Sequence, residues 1–175
     1  MEKLVETIEI PAGISAEITG AKIVVRGGGK ENSREFRSID STIKHNGNKI
    51  EVYCKSERRK ALSEAGAIVS HIKNLVQGLH KEYVYKLEIV YSHFPLNVAV
   101  KGPVIEINNL GGAKHIKKAK IIGNSKVEVK GKDITVKGTN KEHVGQTAAN
   151  MEAVTRIKGK DIRVFHDGIY IVSRD

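Results

Sequence analysis

The 175-residue sequence is poor in cysteine, proline and aromatic residues, and it has no long apolar run. Its single cysteine, Cys54, excludes an internal disulfide and is typical of a reducing compartment. The absence of about 18 consecutive apolar residues predicts no membrane span. The start, MEKLVETIEI, lacks the basic-then-apolar layout of a signal peptide. We therefore expect a cytoplasmic protein without a membrane partner.

The known sequence motifs of catalytic and metal sites are also missing. The seven histidines are scattered, and one cysteine cannot build a thiolate site, so no metal is predicted. We find no Walker loop, GxGxxG, GxSxG or HExxH, and predict no catalytic residue and no cofactor. Since residues far apart in sequence also assemble active sites, an enzyme acting on RNA stays an alternative. It would need acids or histidines converging in a cleft.

Positive charge is abundant, and it is concentrated in the second half. The formal net charge is +10, and residues 114–163 alone hold 13 Lys and Arg against five Asp and Glu. Such a surface favours a polyanion, most commonly nucleic acid. The absence of tryptophan argues against base stacking on single strands. The alternatives are a solvated surface or a basic protein-interaction module that docks an acidic partner.

Most of these lysines fall on turns, where ammonium groups suit phosphate contacts with folded RNA. On this ground we predict phosphate contacts at Lys130, Lys132 and Lys137, in and after a Lys-Gly-Lys turn. Gly27-Gly28-Gly29-Lys30 is a weaker phosphate candidate. Because no helix follows it directly, a hairpin loop is favoured there.

An internal repeat appears at a spacing of 82 to 84 residues. Both copies contain strand, glycine turn and strand, and then a helix-like segment. The matched pairs are AEITGAKIVV (16–25) with VAVKGPVIEI (98–107), TIKHNGNKIEV (42–52) with KVEVKGKDITV (126–136), and helical segments 56–79 with 140–157. The strands alternate apolar and polar residues, which is typical of antiparallel sheets with one buried face. We predict an α+β fold: a tandem duplication of a small domain, each an antiparallel β-sheet packed against one α-helix.

We place the domain boundary in SHFPLN (92–97), which gives domains 1–92 and 93–175. The strand at 82–91 is assigned to the first domain. Near the chain end, RVFHDGIYIV (163–172) predicts a β-hairpin that turns at Asp167-Gly168.

Both helices carry start signals and apolar stripes. Ser56 is expected to cap the first helix, and Thr139 with Glu142 to form a capping box for the second. Five positions of the first helix are predicted to be buried: Leu62, Ala65, Val69, Ile72 and Val76. Four positions of the second are expected to dock on its sheet: Val144, Ala148, Met151 and Thr155.

The stretch GTNKEHVGQTAANMEAVTRIKGKDIRVFHDGIYIV (138–172) resembles the C-terminal signature of the ribosomal large-subunit protein six family. The matching features are the Thr-Asn-Lys-Glu helix start at 139–142, Val-Gly-Gln-x-Ala-Ala at 144–149 and Thr-Arg-Ile-Lys at 155–158. The Asp-x-Arg-Val-Phe-x-Asp-Gly-Ile-Tyr ending at 161–170 is closer to archaeal and eukaryotic members than to bacterial ones, and we expect an archaeal-type member.

The resemblance implies a structural constituent of the large ribosomal subunit. It implies that the second domain is the main rRNA-binding domain, near the sarcin–ricin loop and the platform for translational GTPases. The implied partners are large-subunit rRNA, neighbouring large-subunit ribosomal proteins and, transiently, translational GTPases. The resemblance assigns RNA contacts to eight residues: Asn140, Lys141, Gln146, Asn150, Arg156, Lys158, Lys160 and Arg163.

The residues themselves leave some roles open. The helix start at 139–142 offers unpaired N–H groups to a phosphate. The small residues Gly145 and Ala149 would allow either an RNA backbone or the protein's own sheet to come close. Arg156 and Lys158, at the helix C-terminus, also offset its dipole. The sequence does not decide whether the loops at 27–34 and 109–118 are ordered.

Overall fold

The structure, a computed structural model, describes residues 3–92, 94–161 and 163–174; His93, in the predicted boundary, lies outside that description. The chain divides into two compact units after Lys81. Each unit has antiparallel strands on one side of a single long helix, with its own apolar core.

The described residues of the first unit form six strands and one helix: β1 (Lys3–Glu9), β2 (Ile14–Thr19), β3 (Lys22–Gly27), β4 (Lys30–Glu35), β5 (Ser41–Asn46), β6 (Lys49–Cys54) and α1 (Arg59–His80). The strands form two three-stranded antiparallel sheets, with orders β1-β6-β5 and β2-β3-β4. Fully buried Ile23, Ile50 and Ile72 join both sheets and α1 in one core.

In the second unit, the residues that the structure describes form seven strands, one short turn of 3₁₀ helix (Leu110–Gly112) and one helix. In chain order these are β7 (Tyr83–Val90), β8 (Asn97–Lys101), β9 (Val104–Asn108), β10 (Lys117–Lys120), β11 (Lys126–Lys130), β12 (Asp133–Gly138), α2 (Lys141–Thr155) and β13 (Gly168–Arg174). Two antiparallel sheets result, with orders β10-β9-β8 and β11-β12-β7-β13.

The predicted α+β fold with a duplicated sheet-and-helix domain is confirmed. The β5–β6 hairpin of the first unit corresponds to the β11–β12 hairpin of the second, as the aligned sequences predicted. The aligned glycines Gly47 and Gly131 occupy the same turn position with φ of 59° and 61°, a left-handed conformation that glycine adopts without strain. The sequence alignment missed the first strand of each copy, β1 and β7.

The assignment of the strand at 82–91 to the first domain was wrong. β7 lies between β12 and β13 and pairs antiparallel with both. Tyr83, Leu87 and Ile89 from this strand are buried in the core of the second unit. Only two residues separate α1 from β7, and because of this short connection the strand was predicted to end the first domain. In the repeat it is instead the first strand of the second copy.

The predicted hairpin at 163–172 was also wrong, because only its second half is a strand. β13 pairs with β7, and residues 163–167 form a loop that is not paired in a sheet. The Asp167 side chain is 1% exposed, and its Oδ1 accepts hydrogen bonds from Ser92 N (2.8 Å) and Ser92 Oγ (3.1 Å). Asp167 therefore ties the loop to the end of β7 instead of turning a hairpin.

Both predicted helix starts need correction. The N-cap of α2 is Asn140 and not Thr139: its side chain accepts from Glu142 N at 3.0 Å and His143 N at 3.5 Å. α1 begins at Arg59, and Ser56 Oγ instead accepts from Arg58 N, ahead of the helix.

The apolar stripe of α2 is confirmed, since all four predicted residues are buried. In α1 the stripe is rotated slightly: Leu62 is 37% exposed, and Ala61 is buried in its place. Alanine is too weakly apolar to mark the buried face of a helix against a neighbouring leucine.

The segments 27–34 and 109–118, whose order the sequence did not decide, contain regular structure. The glycines at 27–29 form the β3–β4 turn, as the favoured interpretation predicted, and Lys30 already begins β4. Residues 109–118 contain the 3₁₀ turn and the start of β10.

Candidate RNA-binding surface

The end of α2 is fixed in place by three hydrogen bonds, and this fixes the basic residues that follow it. Thr155 Oγ1 accepts from Ile169 N at 3.0 Å, which joins the helix to β13. The same hydroxyl donates to Met151 O at 3.0 Å. From β10, Lys117 Nζ donates to Val154 O at 3.0 Å, a carbonyl that the last helical turn leaves without a helical partner.

Next to this helix end lies an open groove of about 580 Å³, called here the C-terminal groove. Its charged residues are all basic, Lys117, Arg156, Lys158 and Lys160, and His115 adds an imidazole. The other residues that line it are Leu110, Gly111, Ala113, Ala153, Val154 and Ile157. Among the described residues, no carboxylate lines the groove. A concave surface with charge of one sign concentrates the field and attracts a polyanion.

Two carboxylates of the second unit, Glu106 and Glu128, pair with lysines outside the groove. Lys101 Nζ lies 2.7 Å from Glu106 Oε2, and Lys118 Nζ lies 3.8 Å from Glu106 Oε1. The hydrogen bond from Lys101 is the main reason that the pKa of Glu106 is lowered, and nearby Lys118 adds to the effect. Within the residues described, Arg156, Lys158 and Lys160 form no ion pair. Their charge is thus available to a ligand.

Arg156 and Ile157 also border a second cleft, of about 640 Å³. Its walls are largely apolar, with Ala149 and Ala153 from α2 and Phe165 and Tyr170 from the chain end. Lys160 Nζ stands 4.4 Å from the centroid of the Phe165 ring, a cation–π contact that joins the two depressions.

Of the predicted site residues, three lie together in the C-terminal groove: Arg156, Lys158 and Lys160. Arg163 is exposed in the loop that follows. Its backbone N–H donates to Asp161 Oδ1 at 2.9 Å, and Asp161 O accepts from Val164 N and Phe165 N.

Asn140 and Lys141 lie at the other end of α2. Because the helix has 15 residues, its two ends are about 22 Å apart. Asn140 Oδ1 accepts the capping hydrogen bonds of α2, so this side chain has the structural role that was predicted for Thr139. Lys141 Nζ lies 5.6 Å from the centroid of the Tyr83 ring and is otherwise exposed.

Gln146 and Asn150 lie between these ends and form a chain of hydrogen bonds. Gln146 Nε2 donates to Asn150 Oδ1 at 2.9 Å, and Asn150 Nδ2 donates to Lys120 O at 2.9 Å. Asn150 thus links α2 to β10, and Gln146 presents the more exposed amide of the two.

The three lysines predicted from turns lie on the β11–β12 hairpin. Lys130 is exposed at the end of β11, and Lys132 Nζ lies 4.7 Å from the centroid of the Tyr91 ring. Lys137 is half-buried, with Nζ 3.9 Å from Glu128 Oε2. The eleven predicted residues therefore occupy four separate places, and only Arg156, Lys158 and Lys160 share a concave surface.

The small residues of α2 have different surroundings. A Cβ on Gly145 would lie 3.5 Å from the Tyr85 hydroxyl, so this glycine faces the protein's own sheet. Ala149 instead lines the apolar cleft. His143 packs against Gly123, where an added Cβ would lie 2.1 Å from the His143 Nδ1.

Two groove residues were absent from the predicted site, His115 and Lys117. Lys117 belonged to the basic cluster of the second half, but nothing in the sequence showed that β10 runs beside α2, with Lys117 next to the end of the helix. Long-range pairing of β10 with β9 sets this position.

Among the described residues, no group of three or more His, Cys, Asp or Glu side chains is arranged to hold a metal ion. The described helices include none that is both long and apolar enough to span a membrane.

Two copies of a sheet-and-helix unit, with basic residues collected in a groove, define a duplicated α+β protein with the surface expected of an RNA-binding protein. The family description "Ribosomal protein L6" matches residues 94–168. Large ribosomal subunit protein uL6 of Methanobrevibacter smithii is 41% identical over 170 residues, covering 97% of this chain and 96% of its own. The uL6 proteins of Sulfurisphaera tokodaii and Staphylothermus marinus are 45% and 46% identical, covering 98% and 95% of this chain and 93% and 92% of their own.

The chain belongs to the uL6 family of large ribosomal subunit proteins. The resemblance seen in residues 138–172 is confirmed, and the relatives include archaeal members. The family consists of ribosomal structural proteins and is not enzymatic.

Proposed function

We propose that this chain is a structural constituent of the large ribosomal subunit and that its second unit binds large-subunit rRNA. The family supplies the setting, which is the ribosome in the cytoplasm, among rRNA and neighbouring ribosomal proteins. Within that setting, the finer proposal is that the second unit lies near the sarcin–ricin loop, beside the platform used by translational GTPases. Transient contact with those GTPases belongs to the same proposal.

The observation that carries the proposal is the C-terminal groove, which the described residues line with four basic side chains and without a carboxylate. Phosphate contacts of this kind position a protein on a nucleic acid without reading its bases. Gln146, Lys141 and Arg163 extend the proposed surface along α2 and into the following loop. The lysines of the β11–β12 hairpin, Lys130, Lys132 and Lys137, remain proposed as more peripheral contacts.

The first unit differs in its electrostatics. Arg26 pairs with Glu17 and Glu31 at 3.0 and 2.9 Å, and Lys49 pairs with Glu9 at 3.1 Å. These pairs are exposed and add little stability, but they cancel charge locally. Ion pairs of this kind occur in both units, so the support for the second unit as the main RNA-binding unit is the excess of charge in residues 114–163, with 13 Lys and Arg against five Asp and Glu.

The test is a salt titration of RNA binding by the full chain. One variant replaces Arg156, Lys158 and Lys160 by Gln. The matched control replaces Arg58, Arg59 and Lys60, three exposed basic residues at the start of α1, and loses the same net charge. The probes are a large-subunit RNA fragment that contains the sarcin–ricin loop and an unrelated duplex of equal length.

We expect the groove variant to reduce the slope of log Kobs against log salt by about 2 units, since each lost phosphate contact removes a little under one. The control should change the slope by less than about half a unit. Equal losses in both variants would show binding by net charge alone. If polyglutamate competes as well as the RNA fragment, the result favours the alternative function, a protein-interaction module that docks an acidic partner. Equal affinity for both RNAs would refute the location near the sarcin–ricin loop.

A further inference from the structure

The two units differ at one edge of corresponding sheets. In the second unit, β13 covers the outer edge of β7 in the order β11-β12-β7-β13. In the first unit the corresponding order is β5-β6-β1, and in the part of the chain that the structure describes this sheet ends at β1. The strand that follows α1 is β7, which joins the second unit instead of returning to β1.

The backbones of β1 and β7 are oriented in the same way. Ile8 pairs with Ile50 of β6, and Leu87 pairs with Ile134, the residue aligned with Ile50. Two residues beyond each, the N–H groups donate inward: Ile10 N to Asn48 O at 2.9 Å and Ile89 N to Lys132 O at 2.8 Å. Because the direction alternates along a strand, the backbone groups of Thr7 and Glu9 point away from β6.

In β7 the equivalent outward residues are Lys86 and Glu88, and these face β13. Tyr170 of β13 stands opposite Glu88. The neighbouring N–H of Ile169 points the other way, to Thr155 Oγ1 of α2. The second unit thus shows how a strand sits on this edge: one backbone face bonds to the sheet, and the other reaches the end of the helix.

A mostly apolar groove of about 390 Å³ runs beside the open edge of β1. Residues 7–9 and Pro11 form one wall, and the last two turns of α1 form the other through Lys73, Val76 and Gln77. Lys73 is also ion-paired to Glu6, and this pair joins α1 to β1 at one end of the groove. The open edge and the apolar strip occupy the places that β13 fills in the second unit.

Other features limit how much of this edge can pair. The register of β1 shifts between Leu4 and Glu6, and Pro11 has no N–H to donate. Such features protect an edge strand against extended aggregation. They leave residues 7–10 as a short pairing segment.

We propose that this edge and groove dock a short extended segment of another protein, which adds to the sheet antiparallel to β1. The segment should place apolar side chains at alternate positions, as Ile169 and Ile171 do in β13, where Ile169 is buried and Tyr170 between them is exposed. Main-chain hydrogen bonds to Thr7 and Glu9 supply the binding, and the groove selects the alternating apolar residues. The site is independent of RNA binding by the second unit.

The probe is a synthetic peptide with the sequence of residues 166–174, HDGIYIVSR, added to the isotope-labelled full chain. Amide chemical shifts are followed by NMR as the peptide is titrated. We expect saturable shift changes at residues 7–10 and at residues 73–80, the two walls of the groove. Changes confined to β7 and β12 would mean that the peptide merely exchanges with β13, and would overturn the proposal.

Two methylated peptides supply matched controls that leave the protein's fold untouched. N-methylation at Tyr170 removes the N–H that faces the sheet and should weaken binding about tenfold, through one lost hydrogen bond and a steric clash. N-methylation at Ile169 changes the N–H that faces the helix and should alter Kd less than about threefold. Equal effects of the two, or no saturable binding by the unmodified peptide, would contradict pairing on β1.

A pair of protein variants tests the groove wall. Gln77 is exposed and lines the groove, so Gln77→Trp should occlude it and abolish the shift changes. Ser63 is exposed on the same face of α1, about 21 Å towards the helix N-terminus, and Ser63→Trp should leave peptide binding unchanged. Unchanged binding in both variants would show that the peptide does not enter the groove.

Discussion

At the scale of single residues, several polar side chains that suggested ligand binding are used by the fold itself. Asn140 caps α2, and Asn150 links α2 to β10. By contrast, Arg156, Lys158 and Lys160 line an open groove, and among the described residues they form no ion pair. The residue type alone did not separate these two groups, because amides and basic groups serve both purposes.

The cap at Asn140 leads to a prediction about stability. Asn140→Ala should lower the free energy of unfolding by about 1 kcal/mol, because it leaves the N–H groups of Glu142 and His143 without this acceptor. Asn140→Ser, which keeps an oxygen acceptor, should recover most of that loss. Urea denaturation of the full chain measures both. A stable Ala variant would point to Thr139 as the cap after all.

His71 predicts a pH dependence of stability in the first unit. Burial, and secondarily the nearby Arg34 guanidinium, lowers the pKa of His71 from 6.5, and Arg34 Nη1 lies 2.9 Å from its Nδ1. The folded chain therefore binds this proton more weakly than the unfolded chain does. The contribution of the neutral ring is complete above pH 6.5 and is lost as pH falls through the lower folded pKa.

We expect the free energy of unfolding to decrease less steeply below pH 6.5 in His71→Gln than in the parent protein. Denaturation series between pH 7 and about pH 5 cover this range. His45 is exposed on β5, and His45→Gln is the control that should keep the parental slope. An unchanged slope in His71→Gln would mean that another group dominates the acid response.

At the scale of elements, turns and hairpins follow from local sequence, whereas the partners of each strand do not. The glycine turns of both copies could be aligned because a turn residue in the left-handed conformation is usually glycine. β13 was misjudged because Asp-Gly suggests a hairpin, but the Asp167 side chain bonds across the chain to Ser92. A contact between residues 75 positions apart has no local signature.

Two glycines with nearly equal φ separate backbone strain from side-chain packing. Gly131 has φ of 61° and open space around it, so Gly131→Ala should cost about 1–2 kcal/mol from the left-handed conformation alone. Gly123 has φ of 58°, but a Cβ there would overlap the His143 ring. Gly123→Ala should therefore destabilise the protein considerably more, as thermal denaturation would show.

Adding His143→Ala to Gly123→Ala should bring the loss back towards that of Gly131→Ala, because it removes the overlapping ring. If the double variant is no more stable than Gly123→Ala, His143 does not pack on this turn as described.

At the scale of the whole molecule, the duplication decides where the chain can be divided. A fragment of residues 82–175 keeps β7 and should fold cooperatively. A fragment of residues 93–175 lacks this central strand, with buried Leu87 and Ile89, and should show no cooperative unfolding transition. Thermal melts followed by circular dichroism, with residues 1–81 as the control fragment, measure this. A folded 93–175 fragment would restore the boundary that we placed at 92–97.

The sequence by itself determined the repeat, the α+β class, the basic second half and the family. Strand alternation, turn glycines and charge are properties of short stretches of sequence and can be read from them directly. Most of the buried face of both helices was also predictable. Only the tertiary structure decided that β7 opens the second unit, that Lys117 joins Arg156, Lys158 and Lys160 in one groove, and that β1 keeps an open edge. These are outcomes of strand pairing between distant segments, whose free energy depends on the whole core and not on any one stretch of sequence.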